Sequence, residues 1–206
     1  MREPLRRPGM RLLLALCAAF VFFSWAWAAC SDASSSFGRY YRGRTLDISV
    51  VTIERVPELR YSTLGQGQAA PRHYRLIPAE KNLEVVLVRL KVENHTATSA
   101  IVNVEGQTVE LRDFFRGQFF PVNVSLREQG GRVEEVKDPP GKTGWSVKMI
   151  ETMADGRTPP GQGFIHGAFE LQKDMGVDGW MVFEAPKGTR FRELRWAAGD
   201  TVYVEF

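Results

Sequence analysis

Residues 83–93, LEVVLVRLKVE, carry the clearest structural pattern in the chain. Their apolar residues Val86, Val88, Leu90 and Val92 alternate with other positions, several of them charged. A side-chain period of two indicates a β-strand with one buried face and one solvated face. The Asn-His-Thr that follows predicts a turn.

The same period recurs along the chain after residue 45. It is found in residues 46–50, 109–112, 165–171, 179–185, 191–196 and 201–206. This pattern places Asp47, Ser49, Glu110 and His166 on solvated faces. Between these segments, 19 glycines and 11 prolines supply breaks. Because no long helical pattern alternates with the strands, we expect an all-β, immunoglobulin-like antiparallel sandwich rather than a parallel sheet.

Two stretches exceed what such a sandwich needs. A sandwich of this type takes about 100 residues, whereas residues 46–206 number 161. The surplus lies in residues 57–81 and 123–163, both rich in Gly and Pro. Long loops are uncommon in compact domains and are often functional, so we expect recognition to depend on these two.

A short amphipathic helix is predicted within the second loop. Trp145, Met149 and Met153 recur at every fourth residue, with Ile150 beside them and Gly156 as a stop. The favoured interpretation is a lid that packs this stripe over one end of the sandwich. The alternative is an exposed surface for an apolar ligand or a partner protein.

A cluster of phenylalanines occupies residues 114–120, FFRGQFF. Phe114, Phe115, Phe119 and Phe120 exceed what one strand face can hold, so one alternating pair is expected inside and the other partly exposed. Packing beneath a long loop is the favoured interpretation. The alternative is an interface, which exposed aromatic patches often mark.

The first 29 residues are typical of a secretory signal peptide. Arginines at positions 2, 6, 7 and 11 precede 18 uncharged residues, 12–29, which end in small residues. Removing these four arginines and Glu3 leaves 23 basic and 23 acidic residues in 30–206. The overall charge of +3 therefore belongs to the signal. We do not expect a nucleic-acid partner.

Ala28, Ala29 and Cys30 resemble the lipobox of bacterial lipoproteins, in which a diacylglycerol is attached to the cysteine thiol and the chain is cut before it. Trp27 stands where that pattern prefers an aliphatic residue. Cys17 would leave with the signal, so lipidation would explain the single remaining thiol. An uncleaved anchor and free secretion after Ala28 are the alternatives, since 18 residues lie near the lower limit for a membrane span.

The strands resemble a bacterial family. Residues 83–96, 109–113, 117–120, 179–188 (GWMVFEAPKG) and 194–196 (LRW) are similar to the strands and turns of an immunoglobulin-like domain of unknown function found in bacterial secreted proteins and lipoproteins. The resemblance implies a sandwich and a location in the cell envelope. It offers no catalytic residues to carry over.

Motifs for catalysis or metal binding are not evident in the sequence. There is no G-x-S-x-G, and His73, His95 and His166 lack metal-ligand spacing. Asp174 and Asp178, with Asp200, lack the spacing of a calcium loop. We therefore predict no enzyme activity, no cofactor and no metal. The alternatives are an envelope enzyme or metal carrier in which His73 and His95 converge, and a purely structural surface protein.

The sequence thus predicts three parts: a signal peptide (1–29), a lipidated N-terminus with a flexible tether (30–45) and a sandwich (46–206). The tether rests on residues 31–44, SDASSSFGRYYRGR, which lack an apolar period. The expected function is a non-catalytic envelope lipoprotein, a binding or accessory module outside the cytoplasm. Its expected partners are the membrane, through the lipid on Cys30, and an envelope protein or an apolar ligand.

Overall fold

A computed structural model of the chain describes residues 36–62, 70–124, 133–137 and 163–206. These residues contain fourteen strands and no helix. The search for a helix able to cross a membrane finds none within these ranges. The strands are β1 Tyr40–Arg42, β2 Leu46–Val56, β3 Leu59–Ser62, β4 His73–Leu76, β5 Leu83–Asn94, β6 Ser99–Val104, β7 Val109–Asp113, β8 Gln118–Phe119, β9 Val133–Val136, β10 Gly163–Phe164, β11 Gly167–Gln172, β12 Gly176–Pro186, β13 Phe191–Trp196 and β14 Val202–Glu205.

The described strands form four sheets. Their orders are β1-β2-β5-β12-β10, β14-β13-β7-β8, β11-β6 and β3-β4-β9. All neighbours are antiparallel except the short pair β10 and β12. The expected all-β, antiparallel architecture is confirmed, and it is consistent with a β-sandwich.

The main core lies between the five-stranded and four-stranded sheets. The predicted inner face of β5, formed by Val86, Val88, Leu90 and Val92, is fully buried there. Leu111 of β7 and Trp196 of β13 pack in the same cluster. The Trp196 indole N–H donates to the Ala198 carbonyl at 2.8 Å, so this large side chain is buried without an unpaired donor.

A second core covers the opposite face of the same sheet. Val85 and Leu87 of β5 are 0% exposed and cluster with Tyr61 and Tyr74 of the small sheet β3-β4-β9. The sequence placed all of residues 57–81 in a loop, and the structure corrects this. Strands of four residues are too short to show a reliable period, and β4 pairs with β9, which is distant in the chain.

The start of β2 is buried on both faces, so the prediction that Asp47 and Ser49 are solvated is wrong. Both are buried because β1 adds an edge strand alongside them. Arg42 of β1 donates to the Asp47 carboxylate at 3.2 Å. Part of the expected tether, residues 40–42, is therefore a strand, since β1 pairs with β2 through its backbone.

Asp200, in the β13–β14 turn, accepts hydrogen bonds that connect this turn to the start of β2. One carboxylate oxygen accepts the backbone N–H groups of Thr45 at 2.7 Å and Leu46 at 3.0 Å, and the other accepts that of Thr201 at 2.7 Å. Partial burial opposes ionisation of Asp200. The backbone hydrogen bonds outweigh it and hold the pKa of this carboxyl below its ordinary value.

We predict that Leu87→Ala lowers the free energy of unfolding by about 2–5 kcal/mol, because it opens a cavity in the second core. Urea unfolding of the purified protein measures this. Lys91→Ala on the same face of β5, beyond the small sheet, is the control and should cost under about 1 kcal/mol. A comparably small cost for Leu87→Ala would mean that the small sheet does not cover β5.

We predict that Asp200→Asn costs about 1 kcal/mol of stability at neutral pH, since an amide has one acceptor oxygen where the carboxylate has two charged ones. The folded-state pKa is depressed, so the carboxylate stabilises above its ordinary pKa, and this contribution is lost as the pH falls through the folded-state value. The difference in unfolding free energy between the wild type and Asp200→Asn should therefore become smaller in acid.

The matched control is Asp174→Asn, at an exposed turn residue with φ of 63°, a conformation that Asn also adopts readily. It should change stability by less than about 0.5 kcal/mol at every pH. If the difference in unfolding free energy between the wild type and Asp200→Asn does not change with pH, the assigned role of the carboxylate is contradicted.

Candidate functional site

A cavity of about 320 Å³ lies beside the edge strand β10. Val104 and Ile165 line it from the main core, and Phe164, Trp180 and Val182 line it from the second core. The cavity thus lies at the seam between the two apolar clusters. Its volume is at the lower end of the range for small-molecule pockets, about 300–1,000 Å³.

The cavity lies along the second edge of β12. One edge of β12 is paired with β5 along its whole length. On the other edge, Ile165 donates its backbone N–H to the Trp180 carbonyl at 2.8 Å, and Val122 donates to the Val182 carbonyl at 2.7 Å. Two separate segments therefore share this edge, and both of them line the cavity.

Few of the described residues that line the cavity are polar. Within the described ranges, Glu105, Asn123 and His166 are the lining residues with polar side chains. An apolar wall with a few polar groups suits a small, mostly apolar ligand or an inserted side chain, oriented by one or two hydrogen bonds.

Four of the sequence-predicted site residues lie in or beside the β7–β8 turn. Phe114 and Phe115 are 58% and 88% exposed. Phe119 packs against the main core, its ring 5.8 Å from that of Phe191 in an edge-to-face contact, and Phe120 is half-buried. The exposed pair is thus consecutive and not alternating, because a turn interrupts the strand.

The β7–β8 turn is held in one shape by Asp113. Its carboxylate accepts the backbone N–H groups of Phe115 at 2.8 Å and Gly117 at 2.6 Å. The Asp113 N–H donates to the Gly117 carbonyl at 3.2 Å. Arg116 adopts φ of 69°, and a Cβ on residue 117 would lie 2.6 Å from the Asp113 carboxylate. The two exposed phenylalanines are therefore presented on a preformed turn.

The three histidines have different surroundings. His73 on β4 is hydrogen-bonded to the Ser62 hydroxyl at 2.8 Å, and His95 lies 3.5 Å from the Asp47 carboxylate. His166 lines the cavity. Within the described ranges, no three His, Cys, Asp or Glu side chains are grouped closely enough to hold a metal ion.

Acidic residues of the sheets are engaged in ion pairs. Glu110 was expected on a solvated face, but it is buried and pairs with Arg112 and Arg195, each at 2.7 Å. Glu193 accepts from Arg112 at 3.0 Å and from Arg192 at 2.9 Å. Burial opposes ionisation of Glu193, yet these guanidinium groups lower its pKa. Such pairs satisfy buried charges.

Three further acids of the sheets have structural partners too. Asp178 accepts two hydrogen bonds from Arg89, at 2.8 and 2.9 Å. Glu134 and Glu135 lie on β9, within the region that the sequence placed in a loop, and pair with Arg75 and Arg72. Their carboxylates neutralise neighbouring arginines on β4 or just before it.

Several predicted site residues lie outside the described residues. These are Ala29, Cys30, Trp145, Met149 and Met153. The cavity itself was not predicted from the sequence. The one available signal was in residues 179–185, where Trp180 and Val182 are apolar on the face opposite Met181 and Phe183, and this indicates a strand covered on both sides.

The chain matches no protein-family model and no curated protein. It is similar to the solved structure of yjhA from Bacillus subtilis, with a TM-score of 0.41, 15% identity and coverage of 78% of this chain and 79% of that one. It is also similar to the proposed lipoprotein ycdA from Bacillus subtilis, with a TM-score of 0.39 and 12% identity. That match covers 81% of this chain and 38% of ycdA, less than half of its length.

Proposed function

We propose that the protein is an exported, lipid-anchored and non-catalytic module of the bacterial cell envelope, built on an immunoglobulin-like sandwich. In this proposal the cavity beside β10 binds an apolar ligand or an apolar side chain of an envelope protein. The cavity is the observation that carries the binding role, because it opens between two apolar cores and has few polar groups.

The lipid anchor is supported by the order of features at the N-terminus. A basic segment, an uncharged segment of 18 residues and two alanines lead directly to Cys30. In bacterial lipoproteins, this order of features makes the cysteine the first residue of the processed chain. The lipid would hold the protein at a membrane outside the cytoplasm.

A non-catalytic role is supported by what the charged side chains contact. Glu110, Asp178 and Glu193 form ion pairs between or along strands, and Asp200 binds backbone N–H groups. These contacts stabilise the sheets. The alternative of a metal carrier requires His73 and His95 to converge, and their observed neighbours, Ser62 and Asp47, do not favour it.

Intact-mass spectrometry of the protein from a bacterial membrane fraction tests the anchor. We expect a chain that begins at Cys30 and carries acyl chains, and we expect Cys30→Ala to carry none. An unmodified chain cut after Ala28 would indicate free secretion, and a full-length chain would indicate an uncleaved anchor. Either result would contradict lipidation.

Cavity filling tests the binding role. Titration with the uncharged, apolar fluorophore N-phenyl-1-naphthylamine should show saturable binding to the folded protein. Val122→Trp places a larger side chain in the cavity wall and should weaken this binding by roughly tenfold, equivalent to about 1.4 kcal/mol.

The matched control is Ile101→Trp, at an apolar residue that is 75% exposed and does not line the cavity. It should bind the fluorophore as the wild type does. Thermal unfolding of both variants separates lost binding from lost folding. Equal affinity of folded Val122→Trp and wild type would exclude the cavity as the site.

A further inference from the structure

One end of the four-stranded sheet collects exposed aromatic and basic residues. Asp113, at the end of β7, is paired with Phe191, at the start of β13. Phe206 donates its backbone N–H to the Arg192 carbonyl at 2.8 Å. The β7–β8 turn, the turn of residues 187–190 and the C-terminal Phe206 therefore lie at the same end, which we call the aromatic end.

Three phenylalanines are exposed at the aromatic end. Phe114 and Phe115 project from the rigid β7–β8 turn. Phe37 is 42% exposed, and its ring stacks on that of Phe206 with centroids 5.8 Å apart. Keeping these rings in water is unfavourable, and their grouping at one end indicates a surface that covers them.

The aromatic end is also basic. Its exposed cationic residues are Arg116, Lys187, Arg190 and Arg192. Glu205, next to Phe206, is the exposed acid on the last strand. The Asp113 carboxylate is engaged within the β7–β8 turn, and Arg192 is paired with Glu193, so Arg116, Lys187 and Arg190 supply the exposed positive charge. Aromatic rings flanked by Arg and Lys are suited to the boundary between lipid headgroups and acyl chains, and the cations are attracted to anionic headgroups.

We propose that the aromatic end rests on an anionic lipid bilayer, with Phe114 and Phe115 inserted below the headgroups. This inference rests on the proposed lipid anchor. Cys30 precedes Ser36 by six residues, which span at most about 20 Å when fully extended. Because Phe37 stacks on Phe206, the lipid on Cys30 keeps the bilayer within that distance of the aromatic end.

The bilayer is favoured over a protein partner by the short tether and by the rigidity of the β7–β8 turn. A short tether keeps the membrane close to these rings at all times. The Asp113 hydrogen bonds already fix the turn, so insertion carries little ordering cost. The contact would orient the module and hold the opposite end of the sheet, with Gly199, away from the membrane.

Spin-label accessibility in proteoliposomes tests this orientation. The lipidated protein that begins at Cys30 is labelled at Phe115→Cys, or at Lys187→Cys as a second position, and reconstituted in phosphatidylglycerol–phosphatidylethanolamine vesicles. Because the sulfur of Cys30 carries the lipid, the spin label reacts with the introduced cysteine. We expect collisions with oxygen to exceed those with a water-soluble nickel complex several-fold at position 115, and an intermediate value at 187.

The control position is Ile101→Cys. Ile101 is exposed and adjoins Gly199 of the β13–β14 turn, at the opposite end of the sheet. Its label should be accessible mainly to the nickel complex. Circular dichroism confirms folding of each variant, and these positions are exposed enough to tolerate cysteine.

Three outcomes would overturn the inference. An acylated mass with a water-exposed label at position 115 removes the bilayer contact and leaves the anchor standing. A mass without acyl chains would contradict the proposed anchor, and the bilayer contact that depends on it. Reduced collisions with both reagents that depend on the protein-to-lipid ratio would show contact between copies of the chain.

Discussion

Strand β5 imposes the constraint on which the rest of the structure depends. It pairs with β2 along one edge and with β12 along the other, so its backbone groups are satisfied within the sheet. Its residues 85–88 are fully buried on both faces. A central strand of this kind requires an apolar layer above and below it. The four-stranded sheet provides one layer, and the small sheet β3-β4-β9 provides the other.

The two layers also create the candidate site. One edge of β12 pairs with β5 along its whole length. The other edge is shared by two segments, residue 122 and residues 163–165. Phe164 and Trp180 from one core and Ile165 from the other meet around the resulting cavity. A binding site at this seam would use apolar side chains that both cores hold in place, which suits a preformed pocket.

Charged side chains form ion pairs within the sheets and also lie exposed at one end of the protein. Partly buried arginines neutralise Glu110, Asp178 and Glu193. Arg116, Lys187 and Arg190, exposed near the β7–β8 turn, instead accompany exposed phenylalanines. The first set stabilises the fold, because a buried carboxylate without a partner is costly. In the proposed orientation, the second set faces anionic lipid.

The sequence by itself determined the all-β class and the inner face of β5, because a period of two is a local property of the chain. It also indicated the basic signal, the neutral remainder and Cys30, which are matters of composition and order. Only the tertiary structure revealed β1, the small sheet and the burial of Asp47 and Glu110. Those features depend on side chains from other strands covering a face that looks solvated in isolation, as Arg195 does for Glu110 from 85 residues away. The cavity, too, exists only where separate segments meet, so no local pattern could specify it.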